Sequence, residues 1–339
     1  MNLRLKPLRE QVMVITGASS GIGLTTARMA ARKGVRLVLA ARNDEALRQL
    51  VDEIRSDGGH AIHVESDVGT EADVRRIADD ALRKFGGFDT WVNNAGVSIY
   101  GECLEVRIED MRRLFETNFW GVVYGSRIAC EHLRHRGGTL INIGSEVSDK
   151  AVPLQGIYSA SKHAVKGWTD ALRMEMEHAG APISITLIKP AAIDTPYTEH
   201  AKNYLADQPK HAPPVYTPDS VAEAILHAAT TPVRDMFVGG GARAVAAMDR
   251  WAPRLTDRMV EKMIIPGSHS GEPRRGRDAL HTPGEGLQER GRYPGMVRNS
   301  MYTRGAMHPV LTSAAALGVG VLVASLWQSS SRAPSQRAA

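Results

Sequence analysis

Short apolar runs alternate with longer amphipathic stretches from Val12 to about Gly240. Val12–Thr16, Arg36–Ala40, Ala61–Glu65, Thr90–Asn93, Thr139–Gly144, Ser184–Lys189 and Met236–Val238 are strand-sized and rich in β-branched residues. Runs such as Leu37-Val38-Leu39 lack the polar alternation of a strand with one wet face, which suits parallel strands buried on both sides. Between them, Glu45–Arg55 and Asp73–Phe85 repeat apolar residues at three- and four-residue steps with charges elsewhere, as surface helices do. This alternation predicts an α/β fold: a doubly wound (Rossmann) parallel sheet of about seven strands, one domain with a C-terminal extension.

The rhythm stops at Pro266, which sets the catalytic domain at 1–266. Residues 267–308 are rich in Gly, Pro, Ser and Arg without periodicity and read as a flexible linker. Residues 309–327, Pro309–Trp327, carry no charge, and as a helix would reach ~28 Å against a hydrocarbon core of ~30 Å. That makes 309–327 a candidate transmembrane helix, although its Ala and Gly content also suits a hydrophobic helix packed on a partner subunit. A polar tail, 328–339, follows. Seven arginines lie between 267 and the apolar segment and two lie beyond it, so the positive-inside bias would keep the catalytic domain cytoplasmic.

Charge narrows the function classes. The formal excess of +5 lies wholly after Pro266, where nine basic residues face four acidic ones; the rest is balanced. A balanced globular part argues against nucleic acid as a partner, since backbone binding needs a clustered basic face. The two cysteines, Cys103 and Cys130, stand alone and read as packing thiols, and no His/Cys cluster has metal-ligand spacing. The first apolar run is only strand-sized and passes straight into glycines, so no secretory leader is expected.

Those glycines are the first chemical signal. Thr16-Gly17-Ala18-Ser19-Ser20-Gly21-Ile22-Gly23 follows a strand and opens the helical pattern Leu24–Arg32. In that context glycines let the backbone approach a pyrophosphate, and the helix start favours its charge. At the end of the second strand an acidic residue would hold a ribose 2′-hydroxyl, but the chain has Ala40-Ala41-Arg42. Arg42 suits a 2′-phosphate, so NADP(H) is the expected cofactor; Arg42 also fits as the residue before a helix capped by Asn43.

Tyr158-Ser159-Ala160-Ser161-Lys162 opens the helical stretch Ser159–Glu177, which sets Tyr158 and Lys162 on one face, one turn apart. A phenol is a poor base at neutral pH, and a neighbouring ammonium would favour its ionised form. With the glycine loop, Asp67-Val68, Asn93-Asn94-Ala95-Gly96, Asn118 and Ser145 in the same order, residues 8–240 resemble the classical short-chain dehydrogenase/reductase family, and the apolar tail resembles its membrane-tailed bacterial-type members. The resemblance implies carbonyl–alcohol oxidoreduction with a small-molecule carbonyl or alcohol substrate. It implies Tyr158 as general acid/base, Lys162 on the nicotinamide ribose, Ser145 on the substrate oxygen, and Asn118 on a water linking Lys162 to solvent. It implies cofactor contacts from Gly17, Ser19, Ser20, Gly21, Ile22 and Gly23, from Asp67 (to the adenine amine) and Val68, and from Asn94, Ala95 and Gly96, with Asn93 supporting the central strand. It also implies a homo-oligomer, dimer or tetramer. Taken singly, Asp67 and Asn118 also fit as turn or cap residues and Ser145 as a loop hydroxyl.

After the sixth strand the family usually has Pro-Gly, whereas this chain has Pro190-Ala191-Ala192-Ile193-Asp194-Thr195. Alanine adopts a left-handed backbone less cheaply than glycine, so a local change is expected there, with Pro190, Ile193 and Thr195 still facing the nicotinamide side. Substrate choice is expected from Val97–Leu104, Glu146–Ile157 and Tyr197–Tyr216. The last of these, with Tyr197, His200, Tyr204 and His211, reads as a mobile lid or as a surface excursion packed by its own aromatics. A tethered enzyme suits a lipophilic substrate. The rival functions are a sugar-nucleotide epimerase or dehydratase, whose glycine loop lacks the Ser19-Ser20 spacing, and a cofactor-binding scaffold without turnover, which has no use for a proton relay.

Overall fold

The computed structural model describes residues 3–308 and Thr312. Seven strands form one sheet: β1 Val12–Thr16, β2 Arg36–Ala41, β3 Ala61–Glu65, β4 Thr90–Asn93, β5 Gly138–Ile143, β6 Ile183–Pro190 and β7 Asp235–Val238. Their order across the sheet is β7-β6-β5-β4-β1-β2-β3, and every pairing is parallel. All five residues of β1 and all eight of β6 are buried, which explains their unbroken apolar runs. The doubly wound sheet expected from the alternation is present.

Helices cover both faces. On one, α1 Gly21–Arg32, α2 Asp44–Ser56 and the later helix Pro218–Ala228 bury Leu24, Leu47, Leu50 and Ile225 against Met13, Ile15, Leu37 and Leu39. On the other, α3 Glu71–Phe85, α5 Gly121–Leu133 and α6 Gly156–His178 bury Ile77, Leu133 and Leu172 around Val14, Val38 and Trp91. Helix α4, Ile108–Phe115, joins α5 through a π-helical turn, Glu116–Trp120. Because β1 and β4 are neighbours, the chain order reverses between them, and the loops leaving their carboxyl ends part to form a crevice.

Two expectations change. Residues 267–308 are not a free linker. After the helix Pro253–Gly267 the chain runs back over the domain, pairs Val297–Arg298 with Val215–Tyr216, and then forms the short helix Met301–Met307. Its contacts are mostly backbone hydrogen bonds and isolated ion pairs, which leave no periodic trace in sequence. Ala191, second, is not forced into a left-handed conformation; its amide donates to Val238 across the β6–β7 edge, so the glycine is dispensable. The apolar segment 309–327 and the tail 328–339 lie outside the described residues, among which no helix is long and apolar enough to cross a membrane. Cys103 and Cys130 are both free thiols, and the burial of Cys130 pushes it up to about 12.

Candidate active site

The crevice is lined by the loop after β1, the loop after β4 and the start of α6, and it forms one continuous cavity from Arg42 to Tyr158. Its floor is tied together by Thr16 and Asn94. The Thr16 hydroxyl accepts the amides of Asn94 and Ala95 at 3.0 and 3.1 Å. The Asn94 side-chain amide donates to the carbonyls of Thr16 and Gly17 at 2.9 and 3.2 Å. This close approach explains two glycines: a Cβ on Gly17 would lie 2.7 Å from Ala95 Cα at a φ of +67°, and one on Gly23 would lie 2.1 Å from the Gly17 carbonyl. Ser20 begins α1 without a side-chain cap; the Gly21 amide is taken by the Gln288 carbonyl at 2.8 Å, and the amides of Ile22 and Gly23 are the donors of the helix start that suit an anion. A bare-backbone cradle with an uncapped helix start fits a dinucleotide's pyrophosphate.

At the β2 end of the cavity, Arg42 follows β2 and Asn43 caps α2, its Oδ1 accepting the Ala46 amide at 3.0 Å. Arg42 is not free. Its guanidinium donates to the carbonyls of Leu280 and Ala279 at 3.2 and 2.5 Å. Burial, opposed by Asp67 and reinforced by Arg113, holds it below the usual arginine range. Asp67 accepts the Gly69 amide at 2.9 Å and pairs with Arg113 at 2.5 Å, so Arg113 is a cation here that sequence reading missed. Val68 is buried against Gly121. Ile193, Thr195 and Pro190 border the cavity from the β6 side, with Thr195 3.1 Å from where a Gly21 side chain would begin.

At the other end, Tyr158 stands in the first turn of α6 with Lys162 one turn on. The Lys162 ammonium is buried, donates to the Ile143 carbonyl at 2.9 Å, and lies 5.7 Å from the centre of the Tyr158 ring. Burial draws Lys162 down to about 8. Burial also pushes Tyr158 above the ordinary phenol value, with Tyr197 and Ser145 opposing the shift and Glu146 adding to it. The expected assistance of the ammonium to the phenolate is thus outweighed by desolvation. Ser145 caps the turn Glu146–Ser148, its hydroxyl accepting the Val147 amide at 3.3 Å, and borders the cavity beside Tyr158.

Asn118 lies in the π-helical turn and ties the loop after β4. Its side chain grips Val97, accepting the amide at 2.8 Å and donating to the carbonyl at 2.9 Å, and also donates to Ser161 at 3.2 Å. Asn118 therefore fixes the backbone beside Gly96, whose added Cβ would lie 3.5 Å from Asn118 Oδ1 and 3.8 Å from Lys162 Nζ. Asn93 is buried within the sheet, taking the Trp91 indole proton at 2.7 Å and donating to Asn142 at 2.9 Å. His163, exposed on the next face, bonds the Ser159 carbonyl and stands apart from the chemistry.

Around Tyr158 the cavity wall combines Val97, Tyr100, Val147, Val152, Tyr197 and Ile264 with a few polar groups. Tyr197 donates to Ser98 at 2.7 Å, accepts from Gln155 at 2.8 Å, and stacks on His211 with ring centres 5.5 Å apart. Tyr204 turns away to Asp110 instead. The stretch Tyr197–Tyr216 is therefore half pocket wall and half packed excursion, with Lys202–Asn203 paired to Ile99–Tyr100. Glu146, not singled out by sequence reading, borders the same cavity, and burial pushes it up to about 7. His211 is drawn down to about 4 by burial. Among the described residues no group of His, Cys, Asp and Glu could hold a metal ion.

Comparison with known proteins agrees with this geometry. The model of the short chain dehydrogenase family matches residues 11–205. The chain is 50% identical over 323 residues to an uncharacterized oxidoreductase, YxnA, of Bacillus subtilis, covering 94% of this chain and 91% of that protein, a match that takes in the segment after Gly267. It is 34% identical over 274 residues to 11-beta-hydroxysteroid dehydrogenase A of Sesamum indicum, covering 78% of this chain and 77% of that one. Among solved structures, a short chain dehydrogenase/reductase from Burkholderia phymatum in complex with NAD superposes with a TM-score of 0.68 at 28% identity, covering 74% of this chain and 96% of that one. With the sheet order, the glycine crevice and the Tyr158–Lys162 pair in place, the chain belongs to the short-chain dehydrogenase/reductase family of oxidoreductases.

Proposed function

We propose that this oxidoreductase interconverts a carbonyl and an alcohol with NADP(H), and that Tyr158 moves the proton. The observation that carries the reading is the single cavity that joins the glycine cradle to Tyr158 and Ser145. A bound nicotinamide supplies or accepts the hydride. In the reductive direction Tyr158 gives its hydroxyl proton to the substrate oxygen, and Ser145 stabilises the charge gathering there. A phenol held above its ordinary pKa stays protonated at neutral pH, the form this step requires. Lys162, held by the Ile143 carbonyl, would hold the ribose hydroxyls of a bound nicotinamide nucleotide and places a positive charge behind the phenol. Asn118 acts as a positioning residue through Val97.

The NADP(H) preference rests on Arg42 where an acidic residue would favour NAD, with Arg113 adding positive charge nearby. The substrate reading is a lipophilic ketone or alcohol, supported by the apolar and aromatic wall of Val97, Tyr100, Val147, Val152 and Ile264, and by a hydroxysteroid dehydrogenase among the relatives. A panel of alicyclic, aromatic and aliphatic carbonyl compounds, followed by the loss of NADPH absorbance, tests it. Turnover strongest on bulky apolar ketones supports the reading; NADPH binding without turnover on any member leaves a scaffold instead.

Two wider expectations are carried as proposals. Exposed Ile108, Trp120 and Met174 suit a homo-oligomer, dimer or tetramer, which light scattering would size. Tethering of a cytoplasmic enzyme by 309–327 would appear as membrane sedimentation of the full chain, abolished when it ends at residue 308.

A further inference from the structure

Residues 278–289 cross the open side of the crevice as a strap. At one end Asp278 pairs with Lys202 at 3.1 Å, the Ala279 amide donates to the His200 carbonyl at 2.8 Å, and His281 meets buried Asp110 at 2.7 Å. In the middle Arg42 and Arg113 donate to the carbonyls of Ala279 and Leu280, and Asn43 donates to that of Gly284 at 2.9 Å. At the far end the Leu287 amide donates to the Ser19 carbonyl and the Gly21 amide to the Gln288 carbonyl, both at 2.8 Å, while Glu289 pairs with Arg28 at 2.8 Å. Leu280 is fully buried, and Leu287 holds a left-handed φ of +61°, a conformation that a branched residue keeps only when its surroundings impose it.

The strap bridges the crevice without filling it. Ala279, Pro283, Gly284 and Glu285 border the cavity opposite Gly17–Ile22 and Arg42, so the space beneath stays continuous with the catalytic end. Arg42 spends two of its five N–H donors on strap carbonyls and keeps the others for a ligand. A dinucleotide lying in the cradle would be covered along its adenosine half by chain that closes over it from both sides.

From this we infer that residues 279–285 are the outer wall of the cofactor site, anchored by 287–289, and that the strap must lift for the dinucleotide to leave, so it sets the rate of cofactor exchange. The inference rests on the oxidoreductase reading above. The anchors are part-buried hydrogen bonds, ion pairs and two leucines, all outside the seven-stranded sheet, a set that opens locally without disturbing it.

Gly286 gives the test. A Cβ there would lie 2.2 Å from Ala46 Cβ, so Gly286→Val forces the strap off α2 while leaving the catalytic end untouched. NADPH is bound to the full chain, chased with excess NADP, and its release is followed by stopped-flow fluorescence. In parallel, trypsin cleavage at exposed Arg290 and Arg292 is timed with and without NADPH. The expected result is release about tenfold faster in Gly286→Val, since interface changes act mostly on dissociation. NADPH is expected to protect Arg290 and Arg292 in the parent chain only. Glu289→Ala, which removes only the pair with Arg28, serves if the first variant fails to fold, with release about threefold faster. Release within about twofold of the parent while trypsin reports a loosened strap overturns the inference. So does faster association with unchanged release, which would make the strap a competitor of the ligand. Failure of the parent chain to bind NADPH or NADH would sink the oxidoreductase reading itself.

Discussion

The Lys162 ammonium stands 5.7 Å from the centre of the Tyr158 ring, fixed there by the Ile143 carbonyl. Burial brings this lysine down to about 8 while holding the tyrosine above its ordinary value. At neutral pH the pair is therefore an ammonium behind a protonated phenol, the state that the proposed reduction requires. The groups around this pair yield predictions that can be measured separately.

Arg42→Asp exchanges the cation at the end of β2 for a carboxylate suited to a ribose hydroxyl. A hydrogen bond to a charged group contributes about 1.5–3 kcal/mol, so the ratio of NADPH to NADH affinity is expected to fall about tenfold to a hundredfold. The ratio is the proper readout, because Arg42 also holds the strap and its loss weakens both cofactors. Equal discrimination before and after the change, by titration of the two cofactors, would remove Arg42 from the phosphate site.

Glu146→Gln separates the pocket carboxyl from its neighbours. Burial raises Glu146 to about 7, so the folded chain holds its proton at pH values where the unfolded chain has released it. Its contribution to stability is full below the ordinary carboxylate range near ~4.3 and is lost as pH rises through about 7. The neutral glutamine lacks this loss, so the stability of the variant relative to the parent should improve from pH 5 to pH 8 in denaturant melts. An inflection near pH 7 in kcat/KM should also disappear, since an ionised Glu146 raises Tyr158 further. A parallel stability difference at all pH values would show that Glu146 titrates elsewhere.

Gly23→Ala tests the cradle. The added carbon would lie 2.1 Å from the Gly17 carbonyl, and the rigid backbone on both sides cannot yield cheaply. Overpacking of this kind costs about 1–3 kcal/mol, set against roughly 1 kcal/mol gained in helix propensity. The expected outcome is a lower Tm together with weakened NADPH binding. Unchanged calorimetric binding would mean that the loop after β1 does not cradle the dinucleotide.

Much of the fold and of the site is legible in the residues alone. The strands Val12–Thr16 and Thr90–Asn93 have the bounds their residues suggest, because runs buried on both sheet faces end where polar turn residues begin; Ala61–Glu65, the half-buried edge strand, also has its expected bounds. Helix α6 starts three residues earlier than its periodicity implies, since Gly156 and Ile157 carry no polar–apolar signal. Tyr158, Lys162 and Ser145 meet at one cavity because strand ends and a helix start converge at a switch point. The strap leaves no mark on the sequence for a physical reason. Arg42, Arg113, Asn43 and Gly21 bind it through the carbonyls of Ala279, Leu280, Gly284 and Gln288, groups that every residue carries. Glu146 is equally silent, because an acid after a loop serine reads as surface until the walls around it are known.

The most direct test of the proton-transfer role is single-turnover reduction by Tyr158→Phe with NADPH already bound. The phenyl ring fills the same space beside Ser145 and Tyr197 without the proton, and general acid catalysis contributes about a hundredfold to ten-thousandfold. NADPH affinity is predicted to stay close to the parent, with the rate of NADPH oxidation on the best carbonyl substrate reduced by about that factor. A Tyr158→Phe variant that turns over at the parent rate would contradict it.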